Sequence, residues 1–234
     1  MYQSFINYEE EFVFYNAIRQ KYHGHSVLEL GCGTGNMAGR FIKDQISFTG
    51  LDMSEEMLLM ASQKYPQAHF VNAGMRNFEL QQTFDFCLAA GRTVSYLITN
   101  DDVCNTFSCI YRHLADNGIV CFDFIEANRF IPLIQNGKQV VHSASYDNRN
   151  YKRISNWQIN LQESYTFNWQ SVYYEINDRS TEIFLGEDHS VIRAFTKEDI
   201  ALFLQLTGFT VPEFINKPSY AFDTYVAVAT KQKS

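Results

Sequence analysis

The sequence predicts an α/β fold: a doubly wound, mostly parallel seven-stranded sheet with an antiparallel β insertion after the fifth strand. Three observations carry this. Short runs that are apolar on both faces alternate with helical stretches from His25 to Ile125, the pattern of a parallel sheet covered on both sides. One of those runs, "VLEL", opens directly into "GCGTG". After Ile125 the texture changes to segments rich in Tyr, Trp, Asn and Gln with a period of two.

From Ser4 to Tyr22 the apolar residues Phe5, Tyr8, Phe12, Tyr15 and Ile18 recur at helical spacing, so an amphipathic helix comes first. "HSVLEL" is the first strand, "GNMAGRFIKD" the helix behind the glycine turn, and "ISFTGLD" the second strand. Ser54 caps the helix "EEMLLMASQKY", which Pro66 closes off. "AHFVNAG", "FDFCLAAG" and "NGIVCFDFI" supply the next three strands, with "DDVCNTFSCIYRHLA" helical between the last two.

In "NWQINLQ" the residues Trp157, Ile159 and Leu161 alternate with polar ones, and "SYTFNWQ" repeats the alternation with Tyr165, Phe167 and Trp169. With turn-like "DNRN" and "NDRS" between them, these are antiparallel strands with one wet face. The insertion is expected at 137–189, laid over a core domain built from 1–136 and 190–234. "TKEDIALFLQLTG" is a closing helix with Thr196 as N-cap and Gly208 just past its end. "FTVPEFI" and "TYVAVATK" are the last two strands.

Bulk properties narrow the function. A formal charge of -7 over 234 residues argues against a surface that grips phosphodiester backbone, since such grip comes from clustered Lys and Arg. The one basic concentration, "DNRNYKR", reads as a solvated turn. Five cysteines without CxxC spacing read as reduced core residues, and no metal-ligand spacing is evident. The start, "MYQSFINYEEEF", has no basic n-region or apolar h-region, and no apolar run approaches the ~18 to 20 residues that span a bilayer. A cytoplasmic protein that engages neither nucleic acid nor membrane is expected. Aromatic residues make up 15% of the chain, enough rings to line a pocket as well as fill a core.

Gly31, Gly33 and Gly35 stand at alternate positions after the first strand. Glycine permits positive φ and lets a ligand approach where a Cβ would collide. A strand ending in such a turn, with a helix behind it, presents main-chain N–H groups at the mouth of the sheet, where open α/β folds bind ligands. Dinucleotide sites use GxGxxG around a pyrophosphate, but the third glycine of that pattern would fall on Asn36. The acidic Glu29 at the strand end suits a ligand with a positive charge instead.

This stretch resembles the first motif of class I S-adenosylmethionine-dependent methyltransferases, and the likeness continues down the chain. "GLDMSEEML" resembles the second motif, which implies that Asp52 accepts hydrogen bonds from the ribose hydroxyls and that Met53 packs on adenine. "FVNAGMRNFEL" is similar to the third motif, except that Gly74 stands where an Asp usually meets the adenine edge, leaving the backbone of Met75 to read the ring. "FDFCLAAGRTVSYL" looks like the fourth, whose carbonyl at Ala89 or Ala90 meets the methionine ammonium. "LADNGIVCFDF" resembles the fifth strand with its preceding turn, and "FTKEDIALFLQLTGF" the closing helix of small-molecule members. The resemblance implies a Rossmann-like methyltransferase fold and S-adenosyl-L-methionine as cofactor, with S-adenosyl-L-homocysteine as product. Its binding set is Tyr15, Glu29, Gly31, Cys32, Gly33, Gly35, Asp52, Met53, Gly74, Met75, Ala89 and Ala90, Tyr15 because the N-terminal helix often folds over the cofactor.

The implied reaction is in-line transfer of a methyl group to N or O of a small-molecule acceptor. Arg92, Tyr96 and Trp157 are the expected acceptor-binding residues, and Asp123, His142 and His189 the candidate bases. A non-catalytic module binding the same cofactor, a protein or RNA methyltransferase, and an NAD-dependent oxidoreductase remain as alternatives.

Overall fold

The structure, a computed structural model, describes residues 6–160, 165–177, 180–219 and 222–233. The elements run α1 (Tyr8–Lys21), β1 (Ser26–Leu30), α2 (Ala38–Lys43), β2 (Ser47–Asp52), α3 (Glu55–Lys64), β3 (His69–Asn72), β4 (Phe84–Ala89), α4 (Asn100–His113) and β5 (Leu114–Phe124). There follow α5 (Ala127–Gln135), β6 (Val140–Tyr146), β7 (Arg149–Ile159), β8 (Thr166–Ile176), β9 (Glu182–Arg193), α6 (Lys197–Leu206), β10 (Glu213–Lys217) and β11 (Thr224–Thr230).

Seven strands form one sheet in the order β3-β2-β1-β4-β5-β11-β10. It is parallel through β5; β11 runs antiparallel to β5 and β10 antiparallel to β11. The winding reverses between β1 and β4, and a crevice opens above the carboxyl ends of strands at such a switch point.

Both sheet faces are covered. Phe12, Tyr15 and Ile18 of α1 and Phe41 of α2 pack over Val27, Phe86, Leu88, Cys121 and Val226. Phe107 and Ile110 of α4 and Ile200 and Leu204 of α6 pack over Leu28, Cys87, Phe122 and Ala227 on the other face. The caps read from the sequence form: Ser54 Oγ accepts from the Met57 N–H at 3.3 Å, and Thr196 closes a capping box with Asp199. All five cysteines are free thiols.

The insertion is a four-stranded antiparallel sheet, β6-β7-β8-β9. Its first hairpin turns on Asp147 and Asn148, with φ of +49° and +58°, the left-handed pair of a two-residue turn whose twist matches its strands. The chain leaves and re-enters the core at one point: the Phe195 N–H donates to the Ile125 carbonyl, and the Ala127 N–H to that of Phe195, both at 2.9 Å.

Several local expectations change. The sequence reading has no helix at α5, which carries Pro132 in its interior. The helix persists because Phe130 and Ile134 are buried against Phe167, Ile192 and Phe222, and that packing outweighs the ~3 kcal/mol a proline typically costs. The basic stretch "DNRNYKR" is a turn only at its start, because Arg153 lies within β7 and is 2% exposed. The helix behind the glycine turn is a short one starting at Ala38, and β10 begins at Glu213 rather than at Phe209. Ser4, Phe5, Leu161, Asp178 and Arg179, used in the sequence reading, lie outside the described residues. Among the described residues no helix is long and apolar enough to cross a membrane.

Candidate active site

The glycine turn is tied to the neighbouring strand before it meets any ligand. The N–H groups of Gly31 and Cys32 both donate to the Leu51 carbonyl, at 2.7 and 3.1 Å. The Gly33 N–H donates to Asp52 Oδ2 at 2.8 Å, and Ser54 N–H donates to Asp52 Oδ1 at 2.9 Å. Asp52 therefore holds the glycine turn with one oxygen and the start of α3 with the other.

Two glycines here serve different needs. At Gly31, φ is +70°, and a Cβ would fall 2.7 Å from Cγ2 of Thr93, whose hydroxyl donates to the Ala90 carbonyl at 2.7 Å. The turns after β1 and β4 can close together only because Gly31 has no side chain. At Gly33, φ is +53° and a Cβ would find only Met57 Sδ, at 3.7 Å. That position faces open space at the crevice. Cys32 packs its thiol on Gly50 of β2 and enters the turn through its main chain. Gly35, with φ of +71°, completes the turn against Phe70 and Tyr65.

Behind the turn lies Glu29, the fourth residue of β1, which is buried. Its Oε2 has no hydrogen-bond partner. Burial, and then the neighbouring Asp52 carboxylate, push its pKa up to about 8. A buried carboxyl oxygen without a partner at the head of the crevice fits a ligand that brings a cationic donor.

On the β2 and β3 side, Met53 is 78% exposed beside the crevice. The Ala73 N–H and the Asn72 side-chain amide both donate to the Asp52 carbonyl, at 3.1 and 3.2 Å, which fixes the segment leading to Gly74. A Cβ at Gly74 would meet only Asn77 Oδ1, at 3.6 Å. Met75 packs half-buried against the α4 side of the core. Next to it Arg76 pairs with Asp102 at 2.6 Å and donates to the Tyr96 carbonyl at 2.9 Å, bracing this rim from α4.

At the end of β4, Ala89 is buried, and Arg92 adopts a left-handed conformation with φ of +64°. Its main-chain N–H donates to Asp123 Oδ1 at 2.7 Å. Its guanidinium donates to Ser219 Oγ at 2.6 Å and stands 4.2 Å from the centre of the Phe222 ring. Tyr15 of α1 is fully buried with an unpartnered hydroxyl, and burial, then Asp123 and Glu11, hold its pKa well above the usual phenol value. Tyr15, Arg92 and Asp123 thus gather on one side of the crevice. Tyr96 follows at its rim, with its ring partly exposed.

The insertion reaches this group through aromatic rings. Phe222 lies under Arg92 and packs on Phe130 at 4.6 Å and near Trp157 at 6.4 Å, and Trp157 stacks with Trp169. His142 is on the Trp157 face of the insertion sheet, where its Nδ1 lies 3.1 Å from Arg153 Nη2. Arg153 lies four residues before Trp157 in β7, about 13 Å away at the usual strand rise. His189 is opposite Gln170, on the face away from Trp169 and Ser171, with its side chain 62% exposed and 3.3 Å from Glu187. His189 thus lies on the strand face opposite Trp169, and His142 shares the Trp157 face but sits beside Arg153, displaced from Trp157 along the sheet.

Sequence reasoning missed Glu11, Thr93, Lys217, Ser219 and Phe222. The Lys217 ammonium lies 2.7 Å from Glu11, 206 residues away in the chain, and no local pattern encodes such a pairing.

Residues 27–118 match the family model described as a methyltransferase domain. Over these residues the chain is similar to class I S-adenosylmethionine-dependent methyltransferases. The chain is 36% identical over 101 residues to the putative methyltransferase YqeM of Bacillus subtilis, covering 42% of the chain and 41% of YqeM. It is 32% identical over 95 residues to dTDP-3-amino-3,4,6-trideoxy-alpha-D-glucopyranose N,N-dimethyltransferase of Streptomyces venezuelae, covering 41% and 40%. The matched segment spans about two fifths of the length of these relatives. Among solved structures, DesVI of Streptomyces venezuelae superposes with a TM-score of 0.80 at 21% identity, covering 94% of this chain and 91% of DesVI. SAM-bound CalS10, an amino pentose methyltransferase from Micromonospora echinaspora, gives 0.83 at 19%, covering 97% and 92%. The chain shares their fold along nearly its whole length.

Proposed function

We propose that this protein transfers a methyl group from S-adenosylmethionine to a nitrogen or oxygen of a small-molecule acceptor. The observation that carries the reading is the buried, unpartnered Glu29 Oε2 behind a glycine turn whose open position, Gly33, is already oriented by Asp52. The cofactor fits these residues by charge. Glu29 pairs with its ammonium, aided by a main-chain carbonyl at Ala89 or Ala90. The main chain from Gly31 to Gly35 takes its amino-acid portion. Each oxygen of Asp52 accepts one main-chain N–H, and a carboxylate has about four lone-pair sites, so acceptors remain for both ribose hydroxyls. Met53 offers a face to adenine and the Met75 main chain its edge, while Tyr15 covers the site from α1.

When bound, S-adenosylmethionine supplies a sulfonium methyl that is already activated. The chain's task is chiefly to hold an acceptor lone pair in line behind that methyl, a contribution worth up to ~7 to 11 kcal/mol. Arg92, Tyr96 and Trp157 bind the acceptor, and the insertion at 137–189 acts as a lid that excludes water. Asp123 is the favoured group to receive a proton, because it lies buried beside the crevice turn. His142 and His189 are reserve bases that could serve only if the insertion moves. Relatives named as amino-sugar N,N-dimethyltransferases favour an amine acceptor over a hydroxyl. The net charge of -7 supports a small molecule over nucleic acid.

The test is release of S-adenosylhomocysteine from S-adenosylmethionine on addition of a panel of amino sugars and other small amines. Acceptor-dependent release supports the reading. Tight binding of S-adenosylhomocysteine with no release across amine and hydroxyl panels would favour a module without turnover.

A further inference from the structure

Lys217 is buried at the end of β10, remote in sequence from every motif of the glycine crevice. Its ammonium lies 2.7 and 2.9 Å from the two oxygens of Glu11 in α1, and 3.9 Å from Asp123 Oδ2 at the end of β5. It also stands 5.4 Å from the centre of the Tyr15 ring. The other oxygen of Asp123 accepts the main-chain N–H of Arg92, the left-handed residue of the turn after β4. A continuous buried line therefore runs from α1 through Lys217 and Asp123 to the turn that borders the crevice.

We infer that Lys217 is a positioning residue that latches α1 over the cofactor crevice and sets the turn at Arg92 through its contact with Asp123. The inference rests on the functional reading above. It follows from the charges: without the ammonium, Glu11 and Asp123 are two carboxylates sharing a largely buried region. Like charges raise one another's pKa, and an uncompensated buried charge is strongly destabilising. That charge is relieved by outward movement of α1, which loosens the cover that Tyr15 provides, or at low pH by protonation of a carboxylate. The groups that bear on this balance are Glu11 and Tyr15 from α1, Cys121 and Asp123 from β5, and Arg92 from the turn.

The experiment compares wild type with Lys217→Met and Lys217→Arg, reading S-adenosylhomocysteine affinity by calorimetry from pH 5 to 8 and hydrogen exchange of the α1 amides. Lys217→Met should weaken binding about tenfold at pH 8, where both carboxylates are charged, and less at pH 5, where protonation relieves their repulsion, beyond any pH dependence of wild type. Its α1 amides should exchange faster, and Lys217→Arg should restore both readings. A folded Lys217→Met with wild-type affinity, pH profile and α1 exchange overturns the inference. So does a loss of affinity that is flat with pH and not rescued by Arg. If Lys217→Met does not fold, Glu11→Gln, at the more exposed end of the pair, replaces it and is read by α1 exchange, with faster exchange in support and unchanged exchange against. A wild-type protein that binds no S-adenosylhomocysteine contradicts the cofactor reading instead, and α1 exchange alone then decides the latch.

Discussion

Asp52 Oδ2 accepts the main-chain N–H of Gly33 at 2.8 Å, joining the end of β2 to the turn that follows β1. The bond preorganises the crevice. The carboxylate is fixed in direction, so in the proposed function little rotamer freedom is lost when it meets a ribose.

Glu29 gives the site a pH signature. Its pKa of about 8 lies above the ordinary carboxylate value, so the folded protein holds a proton that the unfolded chain releases. Stability of the ligand-free protein is then expected to fall as pH rises from about 4.5 to 8, by up to about 1.4 kcal/mol per pH unit from this group. Glu29→Gln should flatten that slope in denaturant titrations. Pairing with a cationic ligand should also expel the proton, so calorimetry in buffers of different ionisation enthalpy near pH 7 should register proton release in wild type and none from this source in Glu29→Gln. Identical slopes and proton counts in the two proteins would contradict the assignment.

Gly31 and Gly33 should fail differently. Gly31→Ala drives a methyl into Thr93 at a position of positive φ, so a loss of about 2 to 4 kcal/mol of stability is expected in urea unfolding. Gly33→Ala meets no close neighbour, so its backbone strain should cost only about 1 to 2 kcal/mol. Its main defect should be in cofactor affinity. Equal losses of stability in the two variants would mean that the turn is not divided in this way.

Trp157 tests the division between core and insertion. Its ring packs on Phe130 and Phe222, and Phe222 lies under Arg92. Trp157→Ala should lower kcat/KM for the acceptor about tenfold or more while leaving the Kd of S-adenosylhomocysteine within about twofold. A parallel collapse of both would place the ring in the cofactor site.

Asp123 and His189 make a matched pair of variants. Asp123→Asn should depress turnover of an amine acceptor most at low pH, where free amine is scarce and a proton acceptor matters most. His189→Ala, on an exposed strand face, should leave the pH profile unchanged. The reverse pattern would move the base into the insertion.

The core of this fold was legible because its signals are local. Ser54 and Thr196 announce their helices, and the glycine turn follows a strand that is apolar on both faces. The proposed cofactor set lies within short motifs at strand ends, so one pass along the chain is enough to nominate it. What escaped depends on packing or on distance. The helix at α5 stands against the propensity of Pro132 because the insertion buries Phe130, and Arg153 looks like part of a basic turn until β7 carries it inside. Phe222 and Lys217 come from the last fifth of the chain to meet residues of β4 and α1. The histidines attracted attention by residue type and by their place in or beside the insertion, and the strand alternation that turns His189 away becomes visible only with the register to Gln170.

The most direct measurement is calorimetric binding of S-adenosylhomocysteine to Asp52→Ala. Removal of the carboxylate should cost at least tenfold in affinity, since it takes away the ribose acceptor together with the tie to Gly33. A correctly folded Asp52→Ala that binds as tightly as wild type would contradict the account.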